Sequence, residues 1–322
     1  MHKEDFKIIK KCFKKSSKVF IMGHKDVDLD AFGAAIGMCC YAFSKNRTSY
    51  IILDDKKLET SVKKVIEQYS KSLNIIKSKG IDELLDDKSL LVIVDVNKKS
   101  LLQNSEVLEK FKNIIVIDHH GVGIDTINIP QAHLFIDTSA SSACEIITGL
   151  FEYENYVLEP TVATTILAGI VLDTNNFIIK TDKETYHAAY YLAKCGADSR
   201  GVQYLLKQDI KEYVEMQKVI TEVKVIKKIA ISKGLQTKVY RREDLAKIAD
   251  TILLFNNIEA SFVIGKIDNG VGISSRSMGN INVGQIMEEF GGGGDNHEAA
   301  AKITDRSLNE VFSEVTKKAK KL

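Results

Sequence analysis

The sequence predicts an α/β fold in which a mostly parallel sheet is flanked by helices and is joined by a helical connector to a smaller α/β domain. Short runs rich in Val, Ile and Leu alternate with amphipathic stretches over roughly the first 200 residues, as expected for strands covered by helices on both faces. A polar helical stretch then precedes a second set of strands. The length of 322 residues suits two domains.

Four compact apolar runs predict the strands of the first domain. They are Lys18–Gly23, Tyr50–Leu53, Leu90–Val96 and Asn113–Asp118. Each run is rich in Val, Ile and Leu and is short enough to be a strand buried on both faces. Helices are predicted at Glu59–Tyr69, Ser141–Phe151 and Pro160–Leu172, and proline at the start of the last one is favoured at a first helical position.

We expect residues 1–198 to form the first domain, residues 199–224 a connector of polar helices, and residues 225–322 the second domain. In the second domain, Ala260–Ile267 and Gly270–Ser275 flank an Asp-Asn-Gly turn, which is a strong hairpin signal. A helix at Val283–Phe290, a run of glycines and a lysine-rich helix follow.

The composition limits the classes of function. Apolar residues make up 44% and charged residues 27% of the chain, which excludes a disordered protein. No run approaches the roughly 20 apolar residues that span a bilayer, so no membrane partner is expected. The net charge of +2 gives no support to long nucleic acid as a partner. Five scattered cysteines without a CxxC pair favour a cytoplasmic location.

The most informative segment follows the first predicted strand. His24, Asp28 and Asp30 lie within seven residues where this strand ends and a helix begins. Ligands of open α/β sheets bind at this carboxyl edge, and imidazole with carboxylates suits a divalent cation. The alternative is a helix N-cap with solvated carboxylates.

Three further segments end in similar residues. Asp95 closes the third apolar run, Asp118-His119-His120 closes the fourth, and Asp173 ends an apolar helix. An aspartate such as Asp95 is, by itself, more often a turn or cap residue than a ligand, and Asp173 has a C-terminal cap or turn as its alternative. Two adjacent histidines after an aspartate are unusual for an ordinary surface segment. Together, six side chains are expected at one sheet edge: His24, Asp28, Asp30, Asp95, His119 and Asp173. Two imidazoles with four carboxylates suit a pair of Mn²⁺-like ions better than structural zinc, and such pairs hydrolyse phosphoesters or phosphoanhydrides.

These motifs, in this order, resemble the DHH phosphoesterase superfamily over essentially the whole chain. The segment from His24 to Gly37 is similar to the GdpP type of cyclic-di-AMP phosphodiesterase. Ser274–Ser277, Asn280–Val283 and Gly291–Gly294 resemble the DHH-associated domain of the same type. Full-length members also carry transmembrane helices, a PAS domain and a degenerate GGDEF domain, none of which this sequence shows. The resemblance therefore leaves two alternatives, an excised catalytic region, which in the membrane-anchored full-length relatives lies in the cytosol, or a naturally minimal enzyme.

The resemblance also implies a role for each motif residue. One ion would be held by His24, Asp28 and Asp95, and the other by Asp30, Asp95, His119 and Asp173, with Asp95 bridging them. A hydroxide activated by the ions would attack phosphorus. His120 would lie near the reacting phosphate, and Asp118 would hydrogen-bond a histidine. The expected cofactor is two Mn²⁺ ions, with Co²⁺ as an alternative and Mg²⁺ weaker.

Substrate binding is assigned to the second domain, again by resemblance. The residues are Arg276, Gly291, Gly292, Gly293 and Gly294. A guanidinium suits phosphate and glycines let backbone N–H groups approach a nucleotide, although a surface arginine and a flexible loop are the ordinary alternatives. One position departs from the family, since Asp295 follows the glycines where histidine is common, and His297 lies two positions further on.

The leading hypothesis is therefore a phosphodiesterase that hydrolyses cyclic-di-AMP to pApA. The expected partner is a cyclic or short linear dinucleotide, with a homodimer as one possible assembly. One alternative is an oligoribonuclease or pAp phosphatase, and another is a nucleotide sensor without turnover. An inorganic pyrophosphatase is less favoured, because the glycine-rich second domain suits a nucleotide.

Overall fold

The computed structural model describes residues 3–207 and 209–321. The chain forms two compact units, Met1–Lys207 and Gln208–Leu322, and each unit has its own sheet and its own hydrophobic core. Within the described ranges, no helix is both long enough and apolar enough to cross a membrane.

The first unit alternates strands with helices, as the sequence predicts. Its strands are β1 (Lys18–Met22), β2 (Thr48–Ile52), β3 (Ile75–Ile76), β4 (Leu90–Val94), β5 (Asn113–Asp118) and β6 (Ala132–Ile136). Its helices are α1 (Lys3–Lys15), α2 (Leu29–Ser44), α3 (Thr60–Gln68), α4 (Ala143–Tyr153), α5 (Pro160–Asp173), α6 (Lys183–Lys194) and α7 (Ser199–Leu205). The predicted strands and helices differ from these by at most two residues at either end.

The strand order places a ligand site at one point of the sheet. All pairings are parallel and the order is β3-β2-β1-β4-β5-β6. The chain builds one side of the sheet from β1 to β3 and then returns to the other side of β1 for β4. Open parallel sheets bind ligands where this reversal occurs, beyond the carboxyl ends of the strands. The register pairs Met22 with Ile93 and Val94 with Ile117, so β1, β4 and β5 end close together.

Both faces of this sheet are buried. Ile21 and Val92 belong to the core shared with α2, α4 and α5, whereas Phe20 and Ile93 face a second core. Loops and a 3₁₀ helix at Ser105–Lys110 contribute to that second core. The predicted fold class is confirmed, and short 3₁₀ turns take the place of full α-helices on the second face.

The apolar pattern of the sequence does not predict β3 and β6, the two edge strands. The strand β6 buries only Phe135 among its five residues, so its apolar pattern is too weak to distinguish it from a loop. Its backbone pairing with β5 is what defines it as a strand.

The second unit combines a mixed sheet with helices. Its strands are β7 (Lys224–Ile226), β8 (Ile229–Lys233), β9 (Ala260–Ile267), β10 (Gly270–Ser277), β11 (Gly293–Gly294) and β12 (Glu298–Ile303). Its helices are α8 (Ile210–Thr221), α9 (Arg242–Leu253), α10 (Val283–Glu288) and α11 (Leu308–Lys321). The strand order is β11-β12-β10-β9-β8-β7, with β8 and β9 parallel and the other pairs antiparallel.

The predicted hairpin of the second unit is confirmed. Ile267 pairs with Gly270 across a two-residue turn in which Asn269 has a φ of 59°. Helices α10 and α11 cover one face of the sheet. Helix α9 packs on the opposite face over β9 and β10.

The boundary between the units falls inside the predicted connector, residues 199–224. Helix α7 packs against α5 in the first unit, and α8 packs against α9 and β8 in the second. Each of these polar helices buries apolar residues in its own unit, for example Val202 in α7 and Val219 in α8. Both helices therefore belong to packed units, which the Lys, Glu and Gln residues of this stretch conceal in the sequence.

Candidate functional site

The candidate metal centre begins at the carboxyl ends of three neighbouring strands. His24 follows the end of β1, Asp95 follows β4 directly, and His119 follows the last residue of β5. Because β1, β4 and β5 are adjacent and end in register, these three side chains converge. The topology thus explains why residues 95 positions apart in the sequence (24 and 119) meet.

Two aspartates join the site from the start of α2. Asp28 is the N-cap of this helix, and its Oδ1 accepts a hydrogen bond from the backbone N–H of Ala31 at 3.0 Å. Asp30 is buried, and its carboxylate accepts hydrogen bonds from the backbone N–H groups of Ala143 at 2.7 Å and Cys144 at 2.9 Å. These two groups form the start of α4, so the positive end of a helix fixes this carboxylate.

Glycines allow the helices to pack closely around Asp30. A Cβ atom at Gly169 of α5 would lie 2.5 Å from Cys144 Sγ and 3.1 Å from Asp30 Oδ1. At Gly33 of α2 it would lie 3.0 Å from the same sulfur atom. Only glycine at position 169 leaves room for the aspartate and the thiol together. This requirement depends on three elements meeting in space, and no local sequence pattern signals it.

Asp95 has an unusual backbone conformation. Its φ is 59°, in the left-handed region that non-glycine residues seldom occupy. Its backbone N–H donates to the carbonyl oxygen of Ile117 at 2.9 Å, which anchors the turn to β5. Strain of this kind is often retained at functional sites.

The side chains form two groups that share Asp95. In the first, His24 Nε2 lies 3.7 Å from Asp28 Oδ1 and 3.5 Å from Asp95 Oδ2. In the second, His119 Nε2 lies 3.2 Å from Asp95 Oδ1 and 3.3 Å from Asp173 Oδ2. Asp30 belongs to the second group, because it offers an oxygen within 4.8 Å of ligand atoms of both His119 and Asp173. The structure thus brings together all six residues that the sequence placed at the sheet edge.

The donor atoms fit divalent cations. Asp95 Oδ1 and His119 Nε2 are buried and, although they lie 3.2 Å apart, neither makes a hydrogen bond of suitable geometry with the described residues. Such atoms are costly to bury without a ligand. Carboxylate oxygens with imidazole nitrogens are the ligands of Mn²⁺-like ions. The residues present therefore fit two cations on either side of Asp95.

The pKa shifts of the buried side chains also favour bound cations at this site. Burial, together with repulsion from Asp95 and Asp173, raises the pKa of Asp30 well above its ordinary value. Burial also raises the pKa of Asp173 to about 6, against the opposing effect of His119. Burial lowers the pKa of His119, but the carboxylates of Asp173 and Asp95 outweigh this and hold it well above its usual range. Protons are retained because the buried carboxylates need positive charge, which bound cations would supply.

Asp118 and His120 form a hydrogen-bonded pair beside these groups, with His120 Nδ1 3.6 Å from Asp95 Oδ1. The Oδ1 atom of Asp118 lies 2.8 Å from His120 Nδ1 and accepts the backbone N–H groups of His119 and His120. The histidine that Asp118 orients is therefore His120. The His120 side chain is 52% exposed, so a ligand can approach its ring.

The residues assigned to substrate lie in the second unit. Arg276, on β10, donates through Nε to Asp250 Oδ1 at 2.7 Å and through Nη1 to the Ser275 carbonyl oxygen at 3.0 Å. Its Nη2 lies 3.9 Å from Glu298 Oε2. The guanidinium is thus held in place by its neighbours.

The glycine run is an ordered part of the second sheet. Gly293 and Gly294 form β11, which pairs with Ala300 and Ala299 of β12. A Cβ atom at Gly292 would collide with the Ala300 carbonyl oxygen, and Gly294 has a φ of 151°. Gly292, Gly293 and Gly294 line a cavity with Arg276, whereas Gly291, with a φ of 72°, forms the turn that precedes them.

Asp295 closes the turn after the glycines. Its Oδ1 accepts the backbone N–H groups of His297 at 2.7 Å and Glu298 at 2.9 Å. The ring of His297 packs beside Gly279, with Nδ1 3.3 Å from the Ser277 carbonyl oxygen. In this chain Asp295 therefore has a structural function in the turn that leads into β12.

The chain matches two protein-family models in order. Residues 18–170 match the DHH family, N-terminal domain, and residues 210–321 match the DHHA1 domain.

Curated relatives carry three different names. The chain is 38% identical over 304 residues to the cyclic-di-AMP phosphodiesterase GdpP of Geobacillus thermodenitrificans (strain NG80-2) and 35% identical over 304 residues to the cyclic-di-AMP phosphodiesterase PdeA of Listeria monocytogenes serotype 1/2a (strain 10403S). Both matches cover 92% of this chain and 46% of the relative, so the chain spans about half the length of these relatives. It is 28% identical to the bifunctional oligoribonuclease and PAP phosphatase NrnA of Mycoplasma genitalium, over 95% of each chain.

Solved structures share the fold. An exopolyphosphatase-related protein from Bacteroides fragilis superposes with a TM-score of 0.81 at 19% identity, covering 99% of this chain and 96% of that one. RecJ from Thermus thermophilus, crystallised with Mn²⁺, superposes with a TM-score of 0.55 at 13% identity, covering 99% and 54% of the two chains. At these identities the likeness concerns the fold alone.

Proposed function

Because this chain is a member of the DHH family, with a DHH N-terminal domain followed by a DHHA1 domain, we propose that it is a metal-dependent phosphodiesterase that hydrolyses cyclic-di-AMP to linear pApA. The observation that carries this proposal is the shared carboxylate of Asp95, whose two oxygens face the His24 group and the His119 group separately. The names of the relatives that are 38% and 35% identical to the chain support the choice of substrate.

Some of the site residues would hold cations, and others would contact the substrate. When bound, two divalent ions would activate water for attack on phosphorus and neutralise the charge that develops on the phosphate. His24, Asp28 and Asp95 would hold one ion. Asp30, Asp95, His119 and Asp173 would hold the other. His120, oriented by Asp118 and open to solvent, would donate a hydrogen bond to the reacting phosphate and so stabilise its added negative charge.

We assign Mn²⁺ as the preferred ion, with Co²⁺ as an alternative. Mg²⁺ prefers oxygen ligands and gives up its water reluctantly, whereas the imidazoles of His24 and His119 favour transition metals. The chelated protein should be inactive and should recover best with Mn²⁺ and less well with Mg²⁺. Equal recovery with Mg²⁺, or a single tightly bound zinc ion without response to Mn²⁺, would contradict this assignment.

In the second unit, Arg276 and the backbone of Gly292–Gly294 would bind the nucleotide. Arg276→Ala should then raise the KM for the dinucleotide and leave the metal content unchanged. Loss of metal in this variant, or unchanged kinetics, would overturn the assignment.

Product analysis tests the proposed function. The Mn²⁺-loaded protein is incubated in parallel with cyclic-di-AMP, cyclic-di-GMP, pApA, pAp and pyrophosphate, and products are separated by chromatography. We expect pApA to form first from cyclic-di-AMP, and the Asp95→Asn variant to form none. If another member of the panel were hydrolysed faster, that compound would be the substrate in place of cyclic-di-AMP. Binding of cyclic-di-AMP without any product would indicate a sensor.

A second candidate is hydrolysis of short linear oligoribonucleotides and pAp. The NrnA relative favours it, because that match extends over 95% of both chains, whereas the cyclic-di-AMP phosphodiesterases match over half their length. Faster turnover of pAp and pApA than of cyclic-di-AMP in the same panel would support this candidate.

A further inference from the structure

The segment that carries His24 and Asp28 is a loop between β1 and α2. Both side chains belong to the first group of candidate ligands, and His24 Nε2 lies 3.7 Å from Asp28 Oδ1. Ordering a loop costs conformational entropy, so a cation binds more tightly when its ligands are already held in place. The contacts that hold this loop therefore bear on how tightly the first group binds a cation.

The backbone of the loop sets the orientation of the His24 ring. The Lys25 carbonyl oxygen lies 2.7 Å from His24 Nδ1, and because a carbonyl oxygen can only accept, Nδ1 carries the proton. This tautomer leaves Nε2, the atom that faces Asp28 and Asp95, free to bind a cation. The chain then turns at Asp26, whose φ of 54° is kept by a non-glycine residue only where its surroundings hold it.

Asp55, which follows the carboxyl end of β2, holds this turn from the neighbouring strand. Its Oδ1 accepts the backbone N–H of Asp26 at 3.1 Å, and its Oδ2 accepts that of Val27 at 3.0 Å. Gln103 Nε2 donates to the same Oδ2 at 3.3 Å and fixes the carboxylate in turn. Asp55 belongs to none of the groups of candidate ligand atoms formed by the described residues, so its influence on a cation would pass through the loop.

We infer that Asp55 is a positioning residue, whose two hydrogen bonds to the turn preorganise His24 and Asp28 for the first cation. This inference rests on the proposed function, because it requires that this group binds a metal ion. Residues that orient metal ligands contribute roughly 10–100-fold to metal affinity. The second group is held in another way, since the start of α4 fixes Asp30, so the effect of Asp55 is confined to one ion.

Titration of Mn²⁺ into the metal-free full chain, followed by calorimetry, tests this inference without substrate. We expect the wild type to bind two ions, and Asp55→Ala to bind one of them about tenfold more weakly and the other with unchanged affinity. Asp55→Asn keeps one of the two acceptor oxygens and should lose less. Asp54→Ala is the matched control, because Asp54 is the adjacent aspartate and accepts the backbone N–H of Ser78 at 2.9 Å, outside the loop. It should bind both ions like the wild type.

Double variants identify the ion that Asp55 affects. In Asp28→Asn the first group is impaired, so adding Asp55→Ala should leave the affinity for the remaining ion unchanged. In Asp173→Asn the second group is impaired, and there Asp55→Ala should weaken the remaining ion by its full factor of about ten. Residues that act on the same ligand group are coupled in this way, whereas residues of independent groups are additive.

Equal affinity for both ions in the wild type and Asp55→Ala would overturn the inference. The same holds for an equal weakening of both ions, an equal loss in Asp54→Ala, or a wild-type chain that binds fewer than two ions. If Asp55→Ala does not fold, Asp55→Asn is judged by the same criteria. The proposed function can fail separately, because a chain that binds two ions and loses one in Asp55→Ala, yet does not hydrolyse cyclic-di-AMP, retains this positioning role and lacks the proposed activity.

Discussion

Asp95 combines a strained backbone with a buried and shared carboxylate. Its left-handed conformation, with a φ of 59°, costs on the order of 1–3 kcal/mol for a residue with a side chain, and its backbone N–H is held by the Ile117 carbonyl oxygen of β5. This conformation turns the carboxylate towards both histidines. Asparagine tolerates the same conformation, so Asp95→Asn removes the charge and preserves the backbone.

The convergence of the six site residues could be predicted from the sequence because each lies at the end of an apolar run or at the start of a helix, as Asp95 and His119 lie at the ends of β4 and β5. The partner of Asp118 could not be predicted, because His119 and His120 are adjacent and only the geometry shows which ring Asp118 orients. The backbone donors that hold Asp30 come from residues 143 and 144. Contacts over such a separation arise from packing and leave no local sequence pattern.

Gly169→Ala should weaken metal binding. The added methyl group would meet Cys144 Sγ and Asp30 Oδ1, and overpacking of this kind costs about 1–3 kcal/mol. Because Asp30 must move to relieve it, we expect the Kd for Mn²⁺ to rise about tenfold. Gly80→Ala, where nothing lies within 4 Å of the new atom, is the matched control and should leave the Kd unchanged. Unaltered metal affinity in Gly169→Ala would show that this packing does not position Asp30.

Asp250→Asn should impair substrate binding through Arg276. The ion pair at 2.7 Å orients the guanidinium, and a neutral amide holds it less firmly. We expect a higher KM for cyclic-di-AMP with little change in kcat, and Asp250→Glu should restore part of the loss. Asp305→Asn, at a 79% exposed side chain of the same unit, should have no effect. A fall in kcat at unchanged KM would refute a positioning role for Asp250.

At the scale of elements, the first turn of α4 is capped by Ser142 and also donates hydrogen bonds to Asp30 of the candidate metal centre. Ser142 is the N-cap, and its hydroxyl accepts the backbone N–H of Glu145 at 3.0 Å. The next two residues donate their backbone N–H groups to Asp30. The stability of the first turn of α4 therefore determines how firmly this ligand is held.

Ser142→Ala should lower both stability and metal affinity. Loss of an N-cap costs about 1 kcal/mol, and fraying of the first turn would loosen the donors to Asp30. Thermal unfolding and a Mn²⁺ titration measure the two effects. Asn282→Ala removes the N-cap of α10 in the second unit, and there we expect a stability loss with unchanged metal affinity. Equal metal affinity in Ser142→Ala and the wild type would show that this N-cap does not influence metal binding.

The strand formed by part of Gly291–Gly294 could not be predicted from the sequence. Four glycines carry no apolar pattern, so the sequence alone suggests a flexible loop. In the structure Gly293 and Gly294 pair with β12, and the Ala300 carbonyl oxygen lies where a side chain at Gly292 would be. The glycines are required by close backbone approach, which only the neighbouring strand reveals.

At the scale of the whole molecule, the sequence predicts two units but not the boundary between them. The six residues of the candidate metal centre lie in the first unit, and the cavity lined by Arg276 and Gly292–Gly294 lies in the second. The stretch 199–224 resembles a connector because it is rich in Lys, Glu and Gln, yet α7 and α8 bury residues in different units. A homodimer stays a prediction that size-exclusion chromatography with light scattering can test.

The central claim is that Asp95 joins two divalent ions into one hydrolytic site. Electron paramagnetic resonance of the chain loaded with two equivalents of Mn²⁺ tests it most directly, because ions that share a carboxylate are magnetically coupled. We predict a coupled spectrum for the wild type and the spectrum of isolated ions, or no bound ion, for Asp95→Asn. A wild-type chain that binds one Mn²⁺ ion, or binds two that give only the spectrum of isolated ions, would contradict the account.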